Sequence, residues 1–374
     1  MRVFRPILTV GAVAVATACA EPGPMASALV QPEPAPLLSA APGRAVEGSY
    51  VVVLKDGATP RSVAAATGVG ARHVYAAALN GFSADLTPAQ LDALRRHPGV
   101  RYVEEDQRVE AMSVPWGLDR IDQLSLPLDG IFQVNTVPSN VSAYVVDTGI
   151  DTSHPAFAGM AANVFDATGG GPICNGHGTA VAGILGSTTH GVAAGVQLRG
   201  VRALGCTGSG TTSQVISAVN WVAANHVPPA VANFSMAGGV STALNSAVAA
   251  LVSTGVFTTA AVANGGSSSC SSSPVSAAGV LGVGPSTMSD TPGLPIGPCL
   301  DIYAPGITIP TLAMGGGTVT VSGSSMATPH VSGVAALYLA NNPTATPAAV
   351  TSWILANATT LGSTPYPLVY KSTL

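Results

Sequence analysis

From about residue 112 onward, short apolar runs alternate with helical segments made of small residues. The runs are "VSAYVVD" (141–147), "QLRGVRAL" (197–204), "PPAVANFSM" (228–236), "GVFTTAAVA" (255–263) and "GVLGVG" (279–284), with helical patterns such as 211–226 and 241–253 between them. A strand apolar on both faces must be covered on both faces, and regular alternation with helices predicts a parallel sheet in the middle of the cover. The expected fold class is therefore α/β, a doubly wound, mostly parallel sheet with helices on both faces. The chain is 47% hydrophobic but only 5% aromatic and carries 43 glycines, so its core must be a close-packed one of Ala, Val and Gly. No internal repeat is evident.

The 374 residues exceed what one ordinary domain needs. Residues 1–20 set themselves apart, with two arginines, an apolar stretch from Ile7 to Ala18, then small residues. This is the pattern of a secretory signal, too short to span a membrane as a mature helix. Cys19 stands where lipoprotein signals place a lipid-attached cysteine, although Ala16 replaces the usual Leu; a plain secretory signal and a lipid anchor on the precursor both fit. Residues 21–47 are rich in Pro and Ala without periodicity and are expected to form an extended linker. No later run reaches about 18 consecutive apolar residues, the length a membrane-spanning helix would need. Charged residues make up 9% and the net charge is -4, which excludes the basic stripe of a nucleic-acid surface.

Residues 48–110 have a different pattern. "SYVVVLK" is strand-like; "TPRSVAAATGVG" begins with Thr59 as cap and Pro60 at the first helical position, and stops at Gly. "RHVYAA" and "GFSADL" flank a turn at Asn80-Gly81, "TPAQLDALRRHPG" is a helix capped by Thr87, and "VRYVEED" closes as a strand. The order βαββαβ predicts a small split α+β domain. The large unit then spans 112–374.

Three constellations in the large unit carry chemistry. In "AYVVDTGIDTSHP" a buried strand delivers Asp147 at its carboxyl end, where open α/β sheets place their sites, and Gly149 lets the chain turn. In "CNGHGTAVAG" His177 opens a helix of small residues, where a carboxylate can hold one tautomer. In "SGSSMATPHVSG" serines precede a helix whose apolar face is Ala327, Val331, Val334, Ala335 and Tyr338. Pro329 falls in what reads as the first turn, where its missing N–H removes no helical bond. Alone, Asp147 reads equally well as a turn cap, His177 as a packed core histidine and the serine as an N-cap. Together they form an Asp…His…Ser series: Ser325 as nucleophile, His177 as general base and Asp147 as orienting carboxylate.

"VVDTGID", "NGHGTAVAG" and "GSSMATPHVSG" resemble the three signatures of the subtilisin-like serine proteases, in the same order and at similar spacing. The proteinase K and aqualysin branch is the most similar: "VPWGLDRIDQLSLPLDG", "PPAVANFSMAGGVSTALNSAV" and "GVAALYLANNPTATPAAVTSWILANAT" match it, and the likeness runs from 115 to 360. The signature G-T-S-M-A overlays Gly323 to Ala327, which selects Ser325 over Ser324 as nucleophile.

The resemblance implies the subtilisin-like fold and a secreted serine endopeptidase that needs no catalytic cofactor. It implies an oxyanion hole from Asn264 and the backbone N–H of Ser325. It implies a substrate-binding strand at Ser235, Met236, Ala237 and Gly238, along which a peptide adds through its backbone. Ala237 and Ala263 stand where the family has glycines, and their methyls imply a preference for small to medium apolar P1 residues. Four cysteines remain after Cys19 and permit three pairings; the branch pairs Cys174 with Cys206 and Cys270 with Cys299. A structural Ca²⁺ is implied at Asp301 with the carbonyls of Ala278 and Val280. The small domain resembles the family's inhibitory propeptide, which implies self-cleavage between Arg108 and Ser113. The expected partners are protein and peptide substrates and the chain's own propeptide, around a monomeric peptidase.

Other classes fit less well. An esterase would need a G-x-S-x-G elbow and the order Ser…Asp…His, and a zinc protease an H-E-x-x-H; none is present. A catalytically dead peptide binder would have no use for the complete set of site residues. His330, five residues after Ser325, reads as a packed helix residue rather than a second base.

Overall fold

The computed structural model describes residues 33–40, 45–108, 114–263, 268–293, 296–362 and 364–374. The signal segment, Cys19, the cleavage segment 109–113 and Asn264 lie outside the described residues. The chain divides into two compact units between Gln107 and Arg108.

The first unit holds β1 (Leu37–Leu38), β2 (Ala45–Leu54), α1 (Pro60–Ala66), β3 (His73–Tyr75), β4 (Gly81–Asp85), α2 (Pro88–Arg96) and β5 (Val100–Gln107). The expected βαββαβ order is present, in a sheet ordered β1-β5-β2-β4-β3. Val52, Phe82, Leu94 and Val103 are fully buried between the sheet and the helices. Thr87 begins α2 with a capping box, its hydroxyl accepting from the Gln90 N–H while the Gln90 side chain accepts from the Thr87 N–H. The linker expectation is corrected in part. Leu37–Leu38 pairs in parallel with Val103–Glu104, and β2 begins at Ala45, before residue 48. A Pro-rich segment forms such an edge because partners reach it: Ala35 donates to the Arg95 carbonyl, Val103 donates to the Pro36 carbonyl, and Arg95 Nε donates back to Ala35.

The second unit begins with α3 (Trp116–Ile121), β6 (Ser142–Asp147), β7 (Ala161–Asp166), α4 (His177–Gly186) and β8 (Gln197–Arg202). It continues with α5 (Thr212–Asn225), β9 (Ala230–Phe234), α6 (Thr242–Ser253), β10 (Phe257–Ala261), β11 (Leu281–Ser286) and β12 (Ile302–Pro305). A hairpin follows, β13 (Ile309–Leu312) and β14 (Thr318–Val321), then α7 (Ser324–Asn341), α8 (Pro347–Asn357) and two short closing strands, β15 (Thr359–Thr360) and β16 (Pro367–Leu368).

The nine strands of the large sheet run β15-β16-β12-β11-β10-β9-β6-β8-β7, and every pairing but β15 with β16 is parallel. The buried runs show why cover is needed on both faces. Ala143 and Val145 of β6 join the core under α4 and α7, while Tyr144 and Val146 join the core under α5. Each Val or Leu buried this way contributes about 1.5–3 kcal/mol. Helix α7 is buried on nearly every side from Met326 to Leu337 rather than on one face, because α4 and strands β9 to β12 all pack against it. The chain moves from β6 to one side through β7 and β8, then returns to β6's other edge with β9. Sheet order thus reverses at β6, the kind of position beyond whose carboxyl end open α/β sheets place their sites.

Candidate active site

Asp147 is the last residue of β6 and fully buried, and His177 is the first residue of α4. Their approach is close because α4 has glycine at its second position: a Cβ on Gly178 would stand 2.3 Å from the Gly149 carbonyl and 3.2 Å from Asp147. His177 Nδ1 lies 2.8 Å and 2.9 Å from the two Asp147 oxygens. An ionised carboxylate only accepts, so Nδ1 carries the proton and Nε2 keeps its lone pair. Burial pulls the His177 pKa down, but the charge and hydrogen bond of Asp147 outweigh it and raise it above the ordinary histidine value. The carboxylate is itself fixed by the Thr148 N–H at 2.7 Å, and Thr148 Oγ1 accepts the Gly178 N–H.

Ser324 and Ser325 are separated by their surroundings. Ser324 is buried and donates to the Val262 carbonyl at 2.5 Å. Ser325 is partly exposed and, with His177, lines one cavity of about 530 Å³. Its hydroxyl donates to the Ser235 carbonyl at 3.0 Å, while Ser235 Oγ donates to the Ser325 carbonyl at 2.7 Å. The second bond corrects the reading of Pro329. That proline sits in the second turn of α7, where its N–H would have bonded the Ser325 carbonyl. The ring leaves this carbonyl free, and Ser235 takes it. Behind Ser235 a buried chain of hydroxyls and an amide holds the geometry: Asn233 Nδ2 donates to Ser235 Oγ, Ser332 donates to Asn233 Oδ1, and Ser332 bonds Thr259.

A partly exposed serine and a carboxylate-held imidazole on one cavity, at the switch point of a parallel sheet, is an arrangement for attack on a carbonyl. Residues 139–368 match the model of the subtilase family, and residues 49–112 match that of the peptidase inhibitor I9 family. The chain belongs to the subtilase family. It is a serine proteinase with an I9 propeptide domain. It is 42% identical over 381 residues to an extracellular serine proteinase of Thermus sp. (strain Rt41A), covering 92% of each chain. It is 38% identical over 318 residues to proteinase R of Parengyodontium album, covering 81% of this chain and 82% of that one. Among solved structures it resembles a cold-adapted subtilisin-like serine proteinase, with a TM-score of 0.66, 42% identity, 71% of this chain and 99% of that chain covered.

This subtilase places its other expected residues as follows. Ser235 to Gly238 follow the end of β9, and Gly238 exchanges two backbone hydrogen bonds with Ser273. Met236, Ala237 and Gly238 line a separate cavity of about 240 Å³. Ala263 lies two residues beyond the end of β10. Disulfides join Cys174 to Cys206 and Cys270 to Cys299. The first braces His177: Asn175 donates to the Cys206 carbonyl and accepts the His177 N–H. Asp301 accepts the Gly282 N–H at 2.7 Å, and burial raises its pKa although that bond opposes the rise. Among the described residues no group of three or more His, Cys, Asp or Glu is arranged to hold a metal ion. His330 is a packed residue, donating from Nδ1 to the Met326 carbonyl, and burial lowers its pKa to about 4.

Sequence reasoning missed the β13–β14 hairpin, whose Leu312, Met314 and Val319 wall the His177–Ser325 cavity. A triple glycine between β-branched runs, "TLAMGGGTVTV", was the available signal.

Proposed function

We propose that this subtilase is a secreted endopeptidase made as a self-cleaving precursor, acting through Asp147, His177 and Ser325. The observation that carries the reading is the carboxylate-bonded His177 opening onto the same cavity as Ser325. His177 Nε2 takes the Ser325 proton as Oγ attacks the substrate carbonyl, and Asp147 stabilises the imidazolium. The acyl-enzyme forms as the imidazolium protonates the departing amine, and water reverses the sequence. In the free enzyme the Ser325 proton points at Ser235, and turning it to His177 accompanies substrate binding. Asn264 and the Ser325 N–H stabilise the oxyanion, a contribution of about 3–4 kcal/mol for such a side-chain donor. Expression of the wild-type precursor and of Ser325→Ala tests the whole reading. The wild type shortens to a product beginning between 109 and 113 and digests casein; a variant that matured by itself would sink the assignment.

Two finer features belong to the same proposal. The methyls of Ala237 and Ala263 favour small to medium apolar P1 residues, and a P1 library in which Phe outperforms Ala and Leu contradicts this. Asp301 with the carbonyls of Ala278 and Val280 holds a structural Ca²⁺. A desolvated carboxylate with a raised pKa fits that role, since a cation offsets the burial of its charge. The melting temperature then falls in EDTA and returns with Ca²⁺; indifference to both removes the metal from the reading.

A further inference from the structure

The β13–β14 hairpin runs directly into the nucleophile helix and lies against the helix that carries the base. Thr311 Oγ1 donates to the Ala180 carbonyl of α4 at 2.7 Å, and a Cβ on Gly176 would stand 3.3 Å from Met314 Cβ. Its tip is Gly315-Gly316-Gly317, all at positive φ (84°, 108° and 72°). Three such residues in succession have the most conformational freedom to lose, so the tip needs outside contacts to stay in place. Two come from the loop after Asp147. Asp151 Oδ2 accepts the Gly315 N–H at 2.8 Å. His154 Nδ1 accepts the Ala156 N–H, so its Nε2 carries the proton and donates to the Gly317 carbonyl at 3.0 Å. Asp151 is fixed in turn: Ser153 Oγ donates to its Oδ1, and its own N–H donates to Thr179 Oγ1. Hydrogen bonds from Ser153 and Gly315 hold its carboxyl below the usual carboxylate value, so it stays an ionised acceptor where the enzyme works.

The chemistry says which half of a substrate this wall meets. The acyl half lies along Ser235 to Gly238, of which Met236, Ala237 and Gly238 line a different cavity. The leaving amine departs on the His177 side of Ser325, because His177 protonates it, and that side is the cavity walled by Met314 and Val319. We propose that Asp151 and His154 are positioning residues for the leaving-group half of the substrate: they pin the glycine tip so that the hairpin forms a fixed wall for the residues after the scissile bond. The proposal rests on the endopeptidase reading above.

The test compares two substrates with the same acyl half. One is an anilide, with no residues after the scissile bond; the other is a quenched fluorescent peptide with three. Competent enzyme is counted by titration with a serine-directed phosphonate, so that loss of folded protein does not enter the rates. Asp151→Ala is expected to lower kcat/KM on the extended peptide about tenfold or more while changing the anilide by less than about twofold. Asp151→Asn, which keeps an acceptor for Gly315, restores most of the loss. His154→Phe repeats the selective loss, and His154→Gln, which keeps a side-chain N–H, relieves it. Equal losses on both substrates, or none on either, overturn the tether. Anilide hydrolysis by the wild type stands as separate evidence for the activity.

Discussion

The two units differ in how densely they are charged and in where their ion pairs sit. Residues 45–107 carry 13 charged side chains, whereas residues 114–374, a far longer stretch, carry 12. In the small unit the pairs Arg96–Asp92 and Arg72–Asp85 are largely exposed. In the large unit every one of the 12 has a partner. Asp147 holds His177, Asp151 the hairpin tip and Asp119 the N–H of Gly130, while Asp129 accepts from Ile131 and Asp301 from Gly282. Arg120 pairs with Asp290, Arg202 with Asp166 and Lys371 with Asp122, and Arg199 donates to Gln197. A close-packed apolar core leaves little room for a charge that does not pin something. The ion pairs of the small unit lie at its surface while Arg95 and Glu105 hold the β1 segment; in the large unit charge fixes chain segments and His177.

The sharpest way to break this contrast is Asp147→Asn. The amide no longer selects the working tautomer of His177, and kcat is expected to fall about 10⁴-fold; a variant with wild-type kcat on an anilide would falsify the orienting role. The same pair sets the pH profile. Because the His177 pKa is raised, kcat/KM rises as His177 loses its proton on a limb above the free histidine value of about 6.5. The sign for stability is the reverse: a raised histidine pKa contributes stability in full below the unfolded value, and this is lost as pH rises through the folded one. A limb at or below the free value would show that the Asp147 charge does not act on His177 in solution.

A smaller effect is expected from Arg120→Met. Arg120 is fully buried, bonds both Asp290 oxygens at 2.7 and 3.0 Å and donates to the Gln123 carbonyl at 2.8 Å. Removing one partner of a buried pair costs about 3–5 kcal/mol, and the partial exposure of Asp290 places this one near the lower end. Urea unfolding of the peptidase unit measures it, and an unchanged midpoint would place Arg120 with the surface charges. The smallest effect belongs to Arg96→Ala in the small unit. Both members of that pair are more than half exposed, so its melting temperature should not move. A clear drop would mean that the small unit also depends on its ion pairs.

Much of this was legible locally. Strand β6 ending in Asp147, the small-residue helix behind His177 and the serines that open α7 each show in a dozen residues, because strand and helix periods and helix starts are short-range properties. The βαββαβ unit was readable for the same reason. The β1 edge was not: nothing in a Pro-rich segment signals the Arg95 and Val103 groups that hold it, some 60 residues away.

By itself, then, the sequence determined the strand and helix alternation, the order of the three chemical groups and the ends of the elements that carry them. The tertiary structure decided how those groups are held. That Ser324 turns inward to Val262 while Ser325 faces the cavity, that the carbonyl released by Pro329 is taken by Ser235 from 90 residues away, and that Asp151 reaches Gly315 across 164 residues are all outcomes of packing. Hydrogen bonds are short and directional, so a partner is fixed only once the sheet and α7 have brought distant segments within about 3 Å of each other, and no local pattern records that distance.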